Sequence, residues 1–114
     1  MAFAYVDPYT PYAICAGETV VGLVAIEYVL ENPEEDRHWI CRFMIGERFQ
    51  GKGYGAAGMR LAMEQIAAKE DCKRILLSVV PENDRAIRFY EKIGFVYLGE
   101  EIQGEAVMGL TIRD

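Results

Sequence analysis

The chain has 114 residues, 52% of them hydrophobic and 26% charged, a composition that suits one small globular domain and leaves too little for two. No run of about 18 apolar residues occurs, which excludes a membrane-spanning helix. A net charge of −6 argues against a nucleic-acid partner; it fits a cationic small substrate, or solubility alone.

The first eleven residues read as an irregular or extended lead-in, because Pro8 and Pro11 disfavour helix. They carry neither the basic region nor the long apolar core of a secretion signal. Residues 12–16 form a short apolar strand, Gly17 and Glu18 a turn, and residues 20–30 a long strand that pairs back as a hairpin. Residues 31–36 are an acidic loop holding Pro33. Residues 39–45 form the next strand. Strict alternation puts Trp39, Cys41, Phe43 and Ile45 on one face and Ile40, Arg42 and Met44 on the other.

A helix is predicted from Gly53 to about Asp71, with Met59, Ala62, Met63, Ile66 and Ala67 on one face. Residues 74–80 are a nearly continuous apolar strand, as expected for burial on two sides. A second helix covers residues 84–93, capped by Asn83 or Asp84 and closed by Gly94. Residues 95–101 and 105–112 make a closing hairpin around Ile102, Gln103 and Gly104. The order is β-β-β-α-β-α-β-β. The fold class is α+β: helices against a mixed, mostly antiparallel sheet, with one parallel pair across the first helix. No repeat or linker interrupts it, so residues 1–114 are expected to form one domain.

Chemistry concentrates in two segments. In Gln50-Gly51-Lys52-Gly53-Tyr54-Gly55 an apolar strand runs through a glycine-rich turn directly into a helix. Such a turn aims backbone N–H groups at one point, at the positive end of the helix, and suits a pyrophosphate. Alternatively it is a tight turn without a ligand. In the second segment, Asn83 precedes Ala86, Tyr90, Gly94 and Phe95 at fixed spacing; singly, Asn83 reads equally as a helix cap and Tyr90 as a core aromatic. Three cysteines (Cys15, Cys41 and Cys72) and one histidine (His38) show no metal-ligand spacing, so no metal site is expected, and the thiols read as reduced in a cytoplasm.

Together the two segments resemble the acetyl-CoA-binding half of the GNAT N-acetyltransferase superfamily. The first matches Arg/Gln-x-x-Gly-x-Gly/Ala through Gln50, Gly53 and Gly55, and the second matches Asn-x-x-Ala-x-x-x-Tyr-x-x-x-Gly-Phe. Within the superfamily the chain is most similar to bacterial spermine/spermidine (diamine) acetyltransferases. The segments 39–45 and 47–53, Cys72 to Ile75, and Gly104 to Met108 carry that likeness. The resemblance implies acetyl-CoA as co-substrate. Its contacts would come from Phe43, Met44, Ile45, Gln50, Gly51, Lys52, Gly53, Tyr54, Gly55, Ala56, Asn83, Asp84, Arg85 and Tyr90. It implies that residues 43–45 splay from the following strand and pair with the pantetheine arm. Tyr90 would be the acid that protonates the departing thiolate.

On the acceptor side the resemblance implies a primary amine, with a polyamine as the first choice and Glu27, Glu31 and Cys41 as contacts. The same acidic residues equally fit a solvated loop. Cys41 stands where polyamine acetyltransferases tend to carry a carboxylate, and a thiol is a poor base, which leaves Glu27 or water to take the ammonium proton. A small buried cysteine is the plain alternative. Family members also begin with a strand and two helices, which this chain passes over. The expected remedy is a homodimer in which a second copy covers the bared surface. A weakly catalytic acetyl-CoA-binding or sensing module is the competing function, with another small amine or a protein N-terminus as other acceptors.

Overall fold

A computed structural model of the protein describes residues 9–113, so most of the predicted lead-in lies outside the described residues. The strands are β1 (Tyr9–Ala16), β2 (Thr19–Tyr28), β3 (His38–Ile45), β4 (Arg74–Val79), β5 (Val96–Ile102) and β6 (Glu105–Thr111); the helices are α1 (Tyr54–Ala67) and α2 (Asp84–Ile93). The strands form one sheet in the order β1-β2-β3-β4-β6-β5. Every neighbouring pair is antiparallel except β3 and β4, which α1 connects as a parallel pair. This is the predicted α+β architecture.

Both helices pack against one core, in which Val24, Ile40, Met59, Ala62, Ile66, Ile75, Leu77, Phe95 and Met108 are buried. β4 is buried at Ile75, Leu76, Leu77 and Val79 with Ser78 exposed, as its apolar run predicts for a central strand. α2 buries no residue fully; it lays Ile87, Phe89, Tyr90 and Ile93 half-buried against the core.

Three predicted features need correction. β1 starts at Tyr9, ahead of the predicted Tyr12, so Pro11 lies inside it. The strand is at the sheet edge, where a missing N–H costs no ladder bond. α1 stops at Ala67, short of Asp71. Arg113 secures the exit: its guanidinium donates to the last helical carbonyl, Ala67 (2.6 Å), and to the carbonyls of Lys69 (3.1 Å) and Cys72 (2.7 Å) in the turn beyond. The chain then turns, and Asp71 points back to the sheet.

The third correction concerns alternation along β3. Ala25 of β2 pairs with Arg42 and Ile26 pairs with Ile40, so Cys41 is an extra residue on β3. This bulge shifts the side-chain phase by one. Ile40 before it and Phe43 after it therefore both face the helices, whereas unbroken alternation separates them. Cys41 itself is exposed, not the small buried residue of the plain alternative.

Candidate active site

The site begins where β3 and β4 part. The two strands share a single bridge, Trp39 with Leu76, and no other pairing joins them. Beyond it, β3 stays paired with β2 and β4 with β6, so the two diverge as a fork. The backbone groups of residues 42–45 that face β4 have no strand to bond, and a polar backbone left this way calls for a partner. This opening is the splay that the resemblance implies.

At the open end, β3 passes through a 3-10 turn (Glu47–Phe49) into the glycine loop. Gln50 Nε2 donates to the Ile45 carbonyl at 3.0 Å, tying the loop to the strand end. Gly51 and Gly53 have φ of +77° and +88°, a region that other residues enter only under strain, and Gly53 caps α1. A Cβ on either would meet nothing within 4 Å, so the space over the loop is open. The N–H groups of residues 51–56 bond to no described residue, the first bond there being from Ala57 N–H to the Gly53 carbonyl. They stand at the N-terminus of a 14-residue helix, where its dipole adds positive potential. Lys52 is exposed at the loop, and Ala56 exposed in the first helical turn.

Three elements meet beside this loop. At Gly55 α1 meets α2: a Cβ there would make ordinary contact with the Phe89 ring at 3.6 Å and with Ile45 at 3.8 Å. Phe89 stacks on Phe43 of the fork, with centroids 5.8 Å apart and planes at 14°. Such a pair contributes about 0.5–1.5 kcal/mol beyond the area it buries. The ring series continues from Phe89 to Tyr90 at 5.4 Å and from Tyr90 to Phe95 at 6.0 Å. Tyr90 is thereby fixed on the helix that flanks the fork. Burial raises its phenol above the ordinary value of 10.0, so it holds its proton at neutral pH.

The remaining predicted residues are placed less uniformly. Ile45 is half-buried beside Gly55, whereas Met44 points away from the core and is 55% exposed. Tyr54 sets its ring edge-on to Phe49 at 6.4 Å. Asn83 does cap α2, its Oδ1 accepting from the Ala86 N–H at 3.1 Å, so only its Nδ2 is left to donate. Asp84 and Arg85 are exposed in the first turn of that helix.

On the acceptor side, Cys41 Sγ donates to the Ala25 carbonyl at 3.4 Å. The residue is exposed as a whole but its sulfur is partly sheltered against the Ala25 carbonyl; that sheltering, and then the charge of Glu27, raise its thiol above the ordinary 9.0 and keep it uncharged at neutral pH. Glu27 is thus close enough to Cys41 to act on it electrostatically. Glu31 is exposed in the turn after β2, at the end of the sheet away from the glycine loop. Two other loop acids already have partners, since Asp36 pairs with Arg74 and Glu34 with Lys73. The bridging position of Phe89 has one signal in the sequence, an aromatic one residue before Tyr90.

A family model described as "Acetyltransferase (GNAT) family" matches residues 2–95. The chain belongs to the GNAT acetyltransferase family. Its class is that of acetyl-CoA-dependent N-acetyltransferases, and acetyl-CoA is the co-substrate. The open cradle and the unpaired strand edge fit such a molecule. Among similar proteins, spermine/spermidine N(1)-acetyltransferase of Bacillus subtilis is 36% identical over 104 residues, covering 88% of this chain and 68% of that one. Among solved structures, the spermidine/spermine N-acetyltransferase of Vibrio cholerae superposes with a TM-score of 0.75 at 22% identity, covering 95% of this chain and 68% of that one. The PaiA N-acetyltransferase of Thermoplasma acidophilum, solved with coenzyme A, gives a TM-score of 0.73 at 18% identity, covering 91% of this chain and 61% of that one. At these identities the solved structures speak for the fold. The chain spans about two thirds of the length of the relatives it matches, as little as 61% of the Thermoplasma protein.

Proposed function

We propose that this chain acts as a single domain that transfers an acetyl group from acetyl-CoA to the primary amine of a polyamine such as spermidine or spermine. The observation that carries the reading is the meeting of three elements at one place: the unpaired edge of β3, the N–H cradle of residues 51–56, and the helix bearing Tyr90. The polyamine acceptor takes its support from the name of the Bacillus subtilis relative and from the acidic balance of the chain.

In this reading the cradle binds the pyrophosphate, with Lys52 adding a point charge, and the free edge of residues 43–45 pairs with the pantetheine arm. Asn83, through Nδ2, and the first turn of α2, with Asp84 and Arg85, line the other side. Acetyl-CoA supplies the acetyl thioester. A backbone N–H of β3 polarises its carbonyl, and the neutral amine attacks it directly. The new C–N bond forms as the C–S bond breaks, and the phenol of Tyr90 gives its proton to the departing sulfur. The amine's own proton goes to Glu27, directly or through water.

Homodimerisation and a cytoplasmic location belong to the same reading. No described strand pairs with the outer edges of β1 and β5, and a second copy would cover one of them. A monomer in light scattering at high concentration would remove the dimer. Cys41 favours a second reading, an acetyl-CoA-binding or sensing module with weak catalysis, because no carboxylate stands at that position.

Calorimetric titration with acetyl-CoA, followed by thiol release in the presence of spermidine, tests the proposal. Binding with release is the expected result. Binding without release from any polyamine selects the sensing module, and absence of binding overturns both.

A further inference from the structure

A fork joined by one bridge needs another hold at its closed end. Beside Trp39 and Leu76 lies a set of polar contacts that the reaction above does not use. His38, 2% exposed, begins β3, and its Nε2 lies 3.1 Å from Asp71 Oδ1. The Tyr28 hydroxyl donates to the other oxygen, Oδ2, at 3.1 Å. The Tyr28 and His38 rings meet edge to face at 5.0 Å. Asp71 leads into β4, so this contact ties the start of one arm to the start of the other. A second link lies alongside. Arg74, the first residue of β4, donates through Nε to Asp36 Oδ1 at 3.0 Å, and its Nη2 contacts the same oxygen. The Asp36 carbonyl in turn accepts from Trp39 Nε1 at 2.7 Å, so the bridging residue hangs on the same aspartate.

We propose that these two links are a clasp that sets the angle of the fork, which makes His38, Asp71, Asp36 and Arg74 positioning residues for acetyl transfer. The inference rests on reading the fork as the cofactor groove. Its logic is that of a lever. The glycine loop follows β3, whereas Asn83 and Tyr90 follow β4. The angle between the arms therefore sets the phenol against the bound thioester. From Trp39 to Ile45 the arm is about 20 Å long, at roughly 3.3 Å per residue. A rotation of about 5° at the bridge moves its tip by more than about 1.5 Å, and misplacement of about 1 Å can cost a hundredfold in rate. Past the bridge the arms are held by different neighbours, β2 and β6, and meet through the Phe43–Phe89 stack, which leaves the clasp and the exposed Lys73–Glu34 pair beside it as polar restraints between them.

The cradle travels whole with one arm, so clasp variants should lose turnover and keep affinity. For His38→Ala in the full chain we expect kcat about tenfold lower, with the dissociation constant for CoA changed less than about threefold. His38→Gln, whose amide can donate from nearly the same point, should recover most of the rate. In the cofactor-free protein, exchange of the amides that donate across the Trp39–Leu76 bridge should speed up in His38→Ala and not in His38→Gln. If His38→Ala does not fold, Asp36→Asn carries the same three expectations, with Asp36→Glu as its conservative partner.

The clasp is overturned if rate and affinity fall together, if the conservative variant does no better than the disruptive one, or if exchange at the bridge is unchanged. Should the wild-type chain neither bind CoA nor release thiol, the functional reading fails. The exchange comparison still decides the clasp.

Discussion

At its closed end the β3–β4 fork is held by side chains, and at its open end it is lined by bare backbone. The closed end pairs His38 with Asp71 and Arg74 with Asp36. The open end offers Gly51, Gly53, Gly55 and the unbonded N–H groups of residues 51–56. The difference is one of purpose. Where geometry must stay fixed, polar groups are satisfied within the chain, since a buried group without a partner is costly. Where a ligand binds, the groups are left over, and glycine keeps the approach clear.

Breaking the open end should have the largest effect. Gly53→Val forces a β-branched residue to φ of +88° and puts a side chain over the cradle. The backbone cost is about 1–3 kcal/mol. CoA affinity should fall by at least about a hundredfold, since the pyrophosphate and its pre-aimed donors are both displaced. Normal affinity by calorimetry would mean that the pyrophosphate sits elsewhere.

Tyr90→Phe tests the point where the two arms act together. Removing the phenol should lower kcat by about a hundredfold, with CoA affinity within about twofold. Because burial holds this phenol above its ordinary 10.0, the wild-type rate should show no deprotonation of Tyr90 between pH 7 and 9. Unchanged turnover in the variant would take the acid role from Tyr90.

The closed end should respond to acid. Burial alone would raise the carboxyl of Asp71, but hydrogen bonds from His38 and Tyr28 and the His38 charge outweigh it and hold it below the ordinary 3.8. A carboxyl held low stabilises the fold above its unfolded value, and that contribution disappears as pH falls through the lower, folded value. Thermal melting of the wild type and Asp71→Asn should therefore differ at about pH 5 and converge as pH falls from the ordinary 3.8 through the lower, folded value. Curves that stay parallel throughout would show that the carboxylate charge adds nothing.

The smallest effect is expected between the ends. Cys41 is exposed and its thiol contact is long, so Cys41→Ala should change stability by less than about 0.5 kcal/mol. Turnover should stay within about twofold. A large loss of rate would give the sulfur a chemical role after all.

The element order was legible because its signals are local: a β-branched run for β2, an apolar run for β4, a 3.6-residue period for α1, and a glycine after the end of α2. Gly94, at φ of +124°, is one such signal. The glycine loop was legible for the same reason, since strand, loop and helix N-terminus are contiguous in the chain. What escaped the sequence depends on distant partners. Asp71 looked like the tail of a helix because His38 and Tyr28, which draw it to the sheet, are 33 and 43 residues away. Phe43 and Ile40 looked opposed because a bulge leaves no mark in a run of apolar residues. The place of Glu31 at the end of the sheet away from the glycine loop was likewise hidden, because it depends on how β2 pairs with β3.

The bulge also leaves β3 with one residue that belongs to neither rhythm of the strand. Ile40 and Phe43 answer to the core, and Trp39 to the bridge, but position 41 packs into neither side of the ladder. It therefore works as a socket: the fold fixes where its side chain emerges, between the Ala25 carbonyl and the charge of Glu27. One donor can replace another there, hydroxyl for thiol, without renegotiating the architecture, whereas a carboxylate would set its charge against both neighbours.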